Sequence, residues 1–386
     1  MSEHALLSAS SSHRWLHCPP SAMLAAQYPN KDTAYTKAGT LAHAIAELKA
    51  RKHFVEPMSA RTFNSRLKKL KEDPAYDPGM DASTDLYLEH LKQLAMAFSA
   101  PPFVALETKV DYSHIAPNGF GTADCIMIAE GKMHIVDYKN GAGVPVEAED
   151  NPQMMLYGLG ALKVYGPIYG DSIREIYLHI VQPNAGGVKS WSLTREDLEK
   201  WGESIKPIAA LAAEGKGEYT PGPWCDAAFC PAKATCRKRA EEMLATGAIA
   251  AAAPDPAELN MDELGALLPR LGALSKWISD VQDYALSSAL GGKAIPGHKL
   301  VEGRGSRDWT DLDQAFTALQ ERGVPEAMLW ERKPASVAGL EKALGKKDFA
   351  EKADGLVVKK PGKPALVPES DKRPTYNPAA AAFTVI

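Results

Sequence analysis

The sequence predicts an α/β fold: a mixed central β-sheet flanked by helices, with a helical N-terminal segment before it and a smaller α+β domain after it. Three observations carry that expectation. Two apolar, β-branched runs, residues 122–128 and 133–139, flank the turn pair Glu130-Gly131, which signals a hairpin. Strand-like runs also precede it at 103–110 (FVALETKV) and follow it at 173–181 (IREIYLHIV) and 189–194 (KSWSLT). Helical runs are interleaved with these strands at 36–54, 82–100, from Pro152 onward and at 195–214, an order that covers a sheet on both faces.

Composition sets the limits. A chain of 386 residues, 45% apolar and 24% charged, has ample material for a core and more than one domain. Its net charge of −4 excludes a global basic field, so any nucleic-acid surface has to be local. No apolar run approaches the roughly 20 residues of a membrane span, and the N-terminus MSEHALLSASSSHRW lacks a signal-peptide core. The expectation is a cytoplasmic protein, in which five cysteines serve as ligands or buried thiols rather than disulfides.

In chain order, a Ser-rich cap precedes Arg14-Trp15-Leu16 and the turn at Cys18-Pro19-Pro20. The helix over 36–54 puts His43 and Glu47 one turn apart on the same side. Residues 56–82, charged and Pro-containing, read as a loop or a small helical insert. Counting outward from Glu130-Gly131 sets Ala129 against Lys132, Asp124 against Asp137 and Thr122 against Lys139. Asp124, Asp137 and Lys139 then share one face. Facing carboxylates repel, and a divalent cation would offset the repulsion, with the ammonium aimed at the same spot. A surface hairpin with a plain Asp-Lys pair is the alternative. Glu107 can reach the same place from the first strand, or simply be solvated. On the helix opened by Pro152, Gln153 and Tyr157 lie at i and i+4; they suit phosphate contacts or bracing of Lys139, and equally a solvated amide beside a packed ring.

Beyond residue 214 the composition changes. Cys225, Cys230 and Cys236 fall within twelve residues as C-x4-C-x5-C, and Cys18 is the candidate fourth ligand because Cys125 sits inside an apolar strand. Zinc is the alternative occupant, although four-Cys zinc sites more usually pair their thiols as C-x2-C. The expected domains are 1–246, an Ala/Pro linker at 247–256, a second unit over 257–358, and an extended Pro/Lys-rich tail over 359–386. The second unit is expected to hold helices over 259–268, 271–290, 312–322 and 336–349 and a strand near 298–302. GRGSRDW, with Trp309, suits either a single strand of nucleic acid or a packed turn.

His43, Asp124, Asp137-Tyr138-Lys139, Gln153/Tyr157 and the one-plus-three cysteines together resemble the RecB-like branch of the PD-(D/E)XK nuclease superfamily. Within it they resemble the iron-sulfur nucleases exemplified by AddB and the CRISPR-adaptation exonuclease. The RWLxCP start, the KATCR run and the C-terminal VPESDKRP are similar to a phage and prophage family of unassigned function. The resemblance implies a restriction-endonuclease-like core over about residues 8–240. It implies that His43, Asp124 and Asp137, with the Tyr138 carbonyl, bind Mg²⁺ or Mn²⁺, that Lys139 is the catalytic lysine, and that Gln153 and Tyr157 form the motif on the next helix. Glu47 and Glu107 would support them. Cys18, Cys225, Cys230 and Cys236 would hold a 4Fe-4S cluster, with four residues between Cys225 and Cys230 where the family commonly has two. The implied activity is exonucleolytic hydrolysis of DNA in phage recombination or replication inside a bacterial host. DNA ends and a phage single-strand annealing protein are the implied partners. A non-catalytic DNA-binding or scaffolding protein of the same fold is the competing reading.

Overall fold

The computed structural model describes residues 5–29, 33–141, 143, 145–251, 261–301, 311–322, 325–329, 337–353, 356 and 357. By internal contacts the chain divides into two units, Met1–Tyr284 and Ala285–Ile386.

The first unit opens with two short helices, α1 (Ser12–His17) and α2 (Ser21–Ala26), and then α3 (Ala34–Phe54), whose start is fixed by a reciprocal capping box between Thr33 and Thr36. Residues 56–82, expected as a loop or small insert, contain α4 (Ala60–Lys71) capped by Ser59. Helix α5 (Gly79–Met96) begins three residues earlier than expected and ends four earlier. Strands β1 (Phe103–Asp111), β2 (Phe120–Ala129) and β3 (Lys132–Tyr138) follow. Helix α6 (Pro152–Tyr169) crosses over to β4 (Glu175–Gln182), and β5 (Gly187–Thr194) leads into α7 (Arg195–Glu214). The sheet order is β1-β2-β3-β4-β5, antiparallel except for the parallel β3–β4 pair that the α6 crossover permits.

Side-chain alternation sorts the hairpin between two cores. Ile126, Ile128, Met133 and Ile135 pack with α6 and α7, whereas Cys125, Met127, Val136 and Tyr138 pack with α3 and α5. A strand buried on both faces must be apolar throughout, which is why these runs do not alternate with polar residues.

The cysteine region is short helix α8 (Trp224–Ala227) and α9 (Arg237–Ala251), followed by α10 (Met261–Leu290). Three expectations are corrected here. Residues 271–290 do not start a separate helix: α10 runs through Pro269, which forfeits one backbone bond while Leu264, Leu268 and Leu271 keep helical spacing across it. The expected linker at 247–256 is helical as far as Ala251. Asp280 of α10 is tied to Lys233 (2.6 Å) and stands 3.8 Å from the buried Arg239. Residues 298–301 form no strand.

Among its described residues the second unit holds only the end of α10 and helices α11 (Leu312–Glu321), α12 (Glu326–Leu329), α13 (Val337–Leu344) and α14 (Lys346–Lys352). The helix expected over 336–349 is broken at Gly345, whose φ of 80° is left-handed. GRGSRDW and the 359–386 tail lie outside the described residues. No described helix is long and apolar enough to cross a membrane.

Helix α6 can sit close to the sheet because it has no side chain at Gly160, where a Cβ would meet Val110 Cβ at 2.9 Å. Gly160→Val should therefore cost about 1–3 kcal/mol, read as a lower urea midpoint. Nothing stands within 4 Å of a Cβ at Gly166 on the same helix. Gly166→Ala should be neutral or add up to about 1 kcal/mol. Equal midpoints for the two variants would contradict this packing.

Candidate metal centre

The hairpin turn places both Glu130 (φ 52°) and Gly131 (φ 77°) in the left-handed region, as a two-residue turn that follows the strand twist requires. The expected register results: Ala129 pairs with Lys132, and pairing runs to Cys125 and Val136. Asp124 and Asp137 are the next residues, and there the ladder opens. Asp124 Oδ2 instead accepts a hydrogen bond from the Tyr138 backbone N–H at 2.7 Å. The β1–β2 ladder lapses at the same level, since Leu106 pairs with Cys125 and Thr108 with Ala123, leaving Glu107 unpaired opposite Asp124. Glu107 has φ 48°, a conformation that costs a non-glycine residue of order 1–3 kcal/mol. Three carboxylates thus stand in one row across three strands.

Helix α3 brings His43 to this row, its Nδ1 3.4 Å from Asp124 Oδ1. One ligand atom each from His43, Glu107 and Asp124 lie within 4.8 Å of one another, a group able to hold a metal ion. Asp137, expected as a ligand, is outside that group. It is 3% exposed and turned toward Lys139 Nζ, 3.0 Å from its Oδ2, and toward Gln153 Nε2, which donates to its Oδ1 at 3.0 Å. The Gln153 amide also accepts from Lys139 Nζ (3.2 Å) and stands 3.3 Å from the Tyr157 hydroxyl, so one side chain links acid, lysine and phenol. Asn151 positions it by capping α6 through the Met154 N–H at 3.2 Å, with Pro152 in the first turn.

Tyr138 meets Asp124 through its amide. Its ring packs edge-on to His43, and its hydroxyl lies 2.5 Å from Ser83 Oγ and 3.1 Å from Asn140 Oδ1. Glu47 is engaged by Arg51 one turn on, at 2.6 Å, and does not join the three-ligand group. Cys125 is fully buried, and burial pushes its thiol pKa far up.

The electrostatics follow from burial and from the closeness of the carboxylates. Burial works against a charged His43, but Asp124, then Asp137 and Glu107, outweigh it and raise the imidazole pKa to about 9. Burial first, and repulsion from Asp124 second, raise Glu107 to about 7. Burial likewise raises Asp137 above the ordinary carboxylate value against the pull of Lys139. Burial disfavours the Lys139 ammonium, but Asp137 more than offsets this and holds its pKa above the ordinary lysine value. Without a metal, the site keeps protons near neutral pH.

Cys18, Cys225 and Cys230 are each buried and Cys236 is half-buried, all as free thiols. No three of their sulfurs lie mutually within 4.8 Å, yet all four line one small cavity between the N-terminal segment and the loops around α8. The sequence reading missed Arg14. It lines the same cavity, 8% exposed, and donates to the Ala228 carbonyl at 3.0 Å. Its signal was its position one helical turn before Cys18.

Among known proteins, a family described as "Protein of unknown function (DUF2800)" matches residues 4–374. A solved structure described as "Crystal structure of SSO0001" is similar over 50% of this chain and 85% of that one, at 14% identity and a TM-score of 0.24, too slight a likeness to fix the fold. The family match spans nearly the whole chain, and the protein belongs to the family of proteins of unknown function DUF2800.

Proposed function

We propose that this protein is a metal-dependent deoxyribonuclease, an exonuclease of the RecB-like PD-(D/E)XK kind acting in phage DNA recombination or replication. The observation that carries the reading is the convergence of His43, Glu107 and Asp124 beside the linked Asp137, Lys139 and Gln153. The donor set, one imidazole and carboxylates, fits Mg²⁺ or Mn²⁺. Asp137 faces Lys139 Nζ through Oδ2 at 3.0 Å and accepts from Gln153 through Oδ1, so it anchors the ammonium beside the ion. The ion would supply a bound water of lowered pKa and charge to neutralise a phosphate oxygen.

The chain's own residues account for the rest. Lys139, kept protonated by Asp137, acts as a cation toward the scissile phosphate rather than as a base. Gln153 fixes its ammonium, and Tyr157 behind Gln153 fixes the amide. Hydrolysis adds water across one P–O bond, giving a phosphate monoester and a hydroxyl.

End-labelled single- and double-stranded DNA should be degraded with Mg²⁺ or Mn²⁺ and left intact in chelator. Lys139→Ala should lose about 10²–10³-fold in rate while keeping DNA binding in chelator. Undiminished degradation in chelator, or a fully active Lys139→Ala, would overturn the mechanism.

The four cysteines are proposed to hold a 4Fe-4S cluster. A single zinc ion held by the same thiolates is the alternative occupant. Arg14 at the cavity suits a site of net negative charge. Thiolate-bound iron would join the N-terminal segment to the end of the nuclease core, away from the chemistry. Protein purified without oxygen should be brown with about four irons per chain. Cys18→Ala, Cys230→Ala or Cys236→Ala should lose the iron, and Cys125→Ala should keep it. Stoichiometric zinc without iron would contradict the assignment.

A further inference from the structure

A cavity of about 470 Å³ opens between α3, α4 and α5, lined by Lys49, Lys52, His53, Phe63, Lys71 and Lys92 among others. It is not the metal centre. Nine residues separate His43 from Lys52 on α3, two and a half turns, so Lys52 emerges on the opposite side of the helix about 14 Å along it.

Its charges are unequally satisfied. The two carboxylates of the lining, Asp81 and Asp85, are already engaged, Asp81 by Lys71 (2.5 Å) and Tyr76 (2.9 Å), Asp85 by Lys49 (2.6 Å). Lys49 is 7% exposed and locked in place, donating also to Thr84 Oγ1 at 2.8 Å and to the Asp81 carbonyl at 3.0 Å. Among the described residues, Lys52 has no carboxylate partner, and Lys92 has only Glu89 at 3.9 Å. Of the five cations on α4 (ARTFNSRLKKLK) only Lys71 lines the cavity, and it is paired with Asp81, so the surplus rests on Lys52 and Lys92. The wall is not merely basic. Phe63 presents an aromatic face with Lys52 Nζ 4.0 Å from its centroid, and Leu67 and Leu88 continue the apolar lining.

Cations flanking an aromatic and apolar floor are the chemistry that holds a nucleic-acid strand, the ammonium groups tracking phosphates and the ring accepting a base. We infer that this groove is an accessory binding site for a single nucleic-acid strand, separate from the metal centre. It extends the hydrolytic reading without depending on it, since a chain that binds nucleic acid without cutting it would use the same groove. An acidic peptide would satisfy the lysines but leave the half-buried apolar floor of Phe63, Leu67 and Leu88 unused.

The test is fluorescence anisotropy of a labelled single-stranded oligodeoxynucleotide with the full chain in excess chelator, titrated at several salt concentrations. The double variant Lys52→Gln/Lys92→Gln removes two cations that make no close ion pair. It should bind more weakly than the parent, and its slope of log affinity against log salt should be shallower by about 1.4, the loss of two phosphate contacts on a single strand. Matching thermal melts would show that both proteins are folded. Coincident affinities and slopes would overturn the inference. So would a parent that ignores the oligonucleotide but binds a poly-glutamate peptide through Lys52. Metal-dependent cleavage is not read in this assay, so its presence or absence leaves the outcome unaffected.

Discussion

Mutual repulsion among Glu107, Asp124 and Asp137 is the constraint on which the rest of the site depends. They occupy one level of three adjacent strands, where both backbone ladders open. Partly buried carboxylates so close together cannot all stay charged unless something compensates. Compensation comes from both faces of the sheet: His43 from α3, and Lys139 with Gln153 of α6. It is incomplete, because Glu107 still rises to about 7. Glu107 retains a proton first because it is buried and second because Asp124 is close, and His43 because carboxylates surround it; a divalent cation can replace those protons.

The two halves of the arrangement have different work. The side facing His43 gathers ligand atoms, and the strained backbone at Glu107 lies on that side. The side facing α6 fixes an ammonium through a single amide whose orientation follows from an Asn-capped helix start. Farther along the chain, residues 14–28 are joined to residues 224–235 by contacts that need no metal. Arg14 binds the Ala228 carbonyl, Tyr28 lies 2.8 Å from the Thr235 hydroxyl, and His17 stacks on Trp224 with centroids 4.3 Å apart. The cysteine cavity therefore sits within a seam that the polypeptide already closes.

Much of this was legible in the sequence, for local reasons. The hairpin register followed from Glu130-Gly131 and the period of two, which together set Asp124 beside Asp137 and put Lys139 on the same face. Gln153 and Tyr157 meet because i and i+4 share one helix face, whereas the spacing that paired His43 with Glu47 does not hold, since Glu47 turns to Arg51. The exchange of Glu107 for Asp137 in the ligand group was not legible, since it depends on a positive φ at Glu107 and on Gln153 capturing Asp137. A break was expected between residues 268 and 271, where Pro269 stands, while the ion pairs Asp280–Lys233 and Lys276–Asp226 that α10 makes are not visible in the sequence. Arg14 was missed because its neighbours, Cys225, Cys230 and Ala228, are more than two hundred residues away.

The most direct test of the account is calorimetric titration of Mn²⁺ into chelator-treated protein at pH 7, in buffers of different ionisation enthalpy. With His43 at about 9 and Glu107 at about 7, metal uptake should release about 1.5 protons, and affinity should rise with pH by the same power. Release should fall below one proton as the pH approaches 9, where His43 loses its own. Binding at pH 7 that releases no protons and keeps the same affinity from pH 6 to pH 9, or no binding at all, would contradict a metal centre built on His43, Glu107 and Asp124.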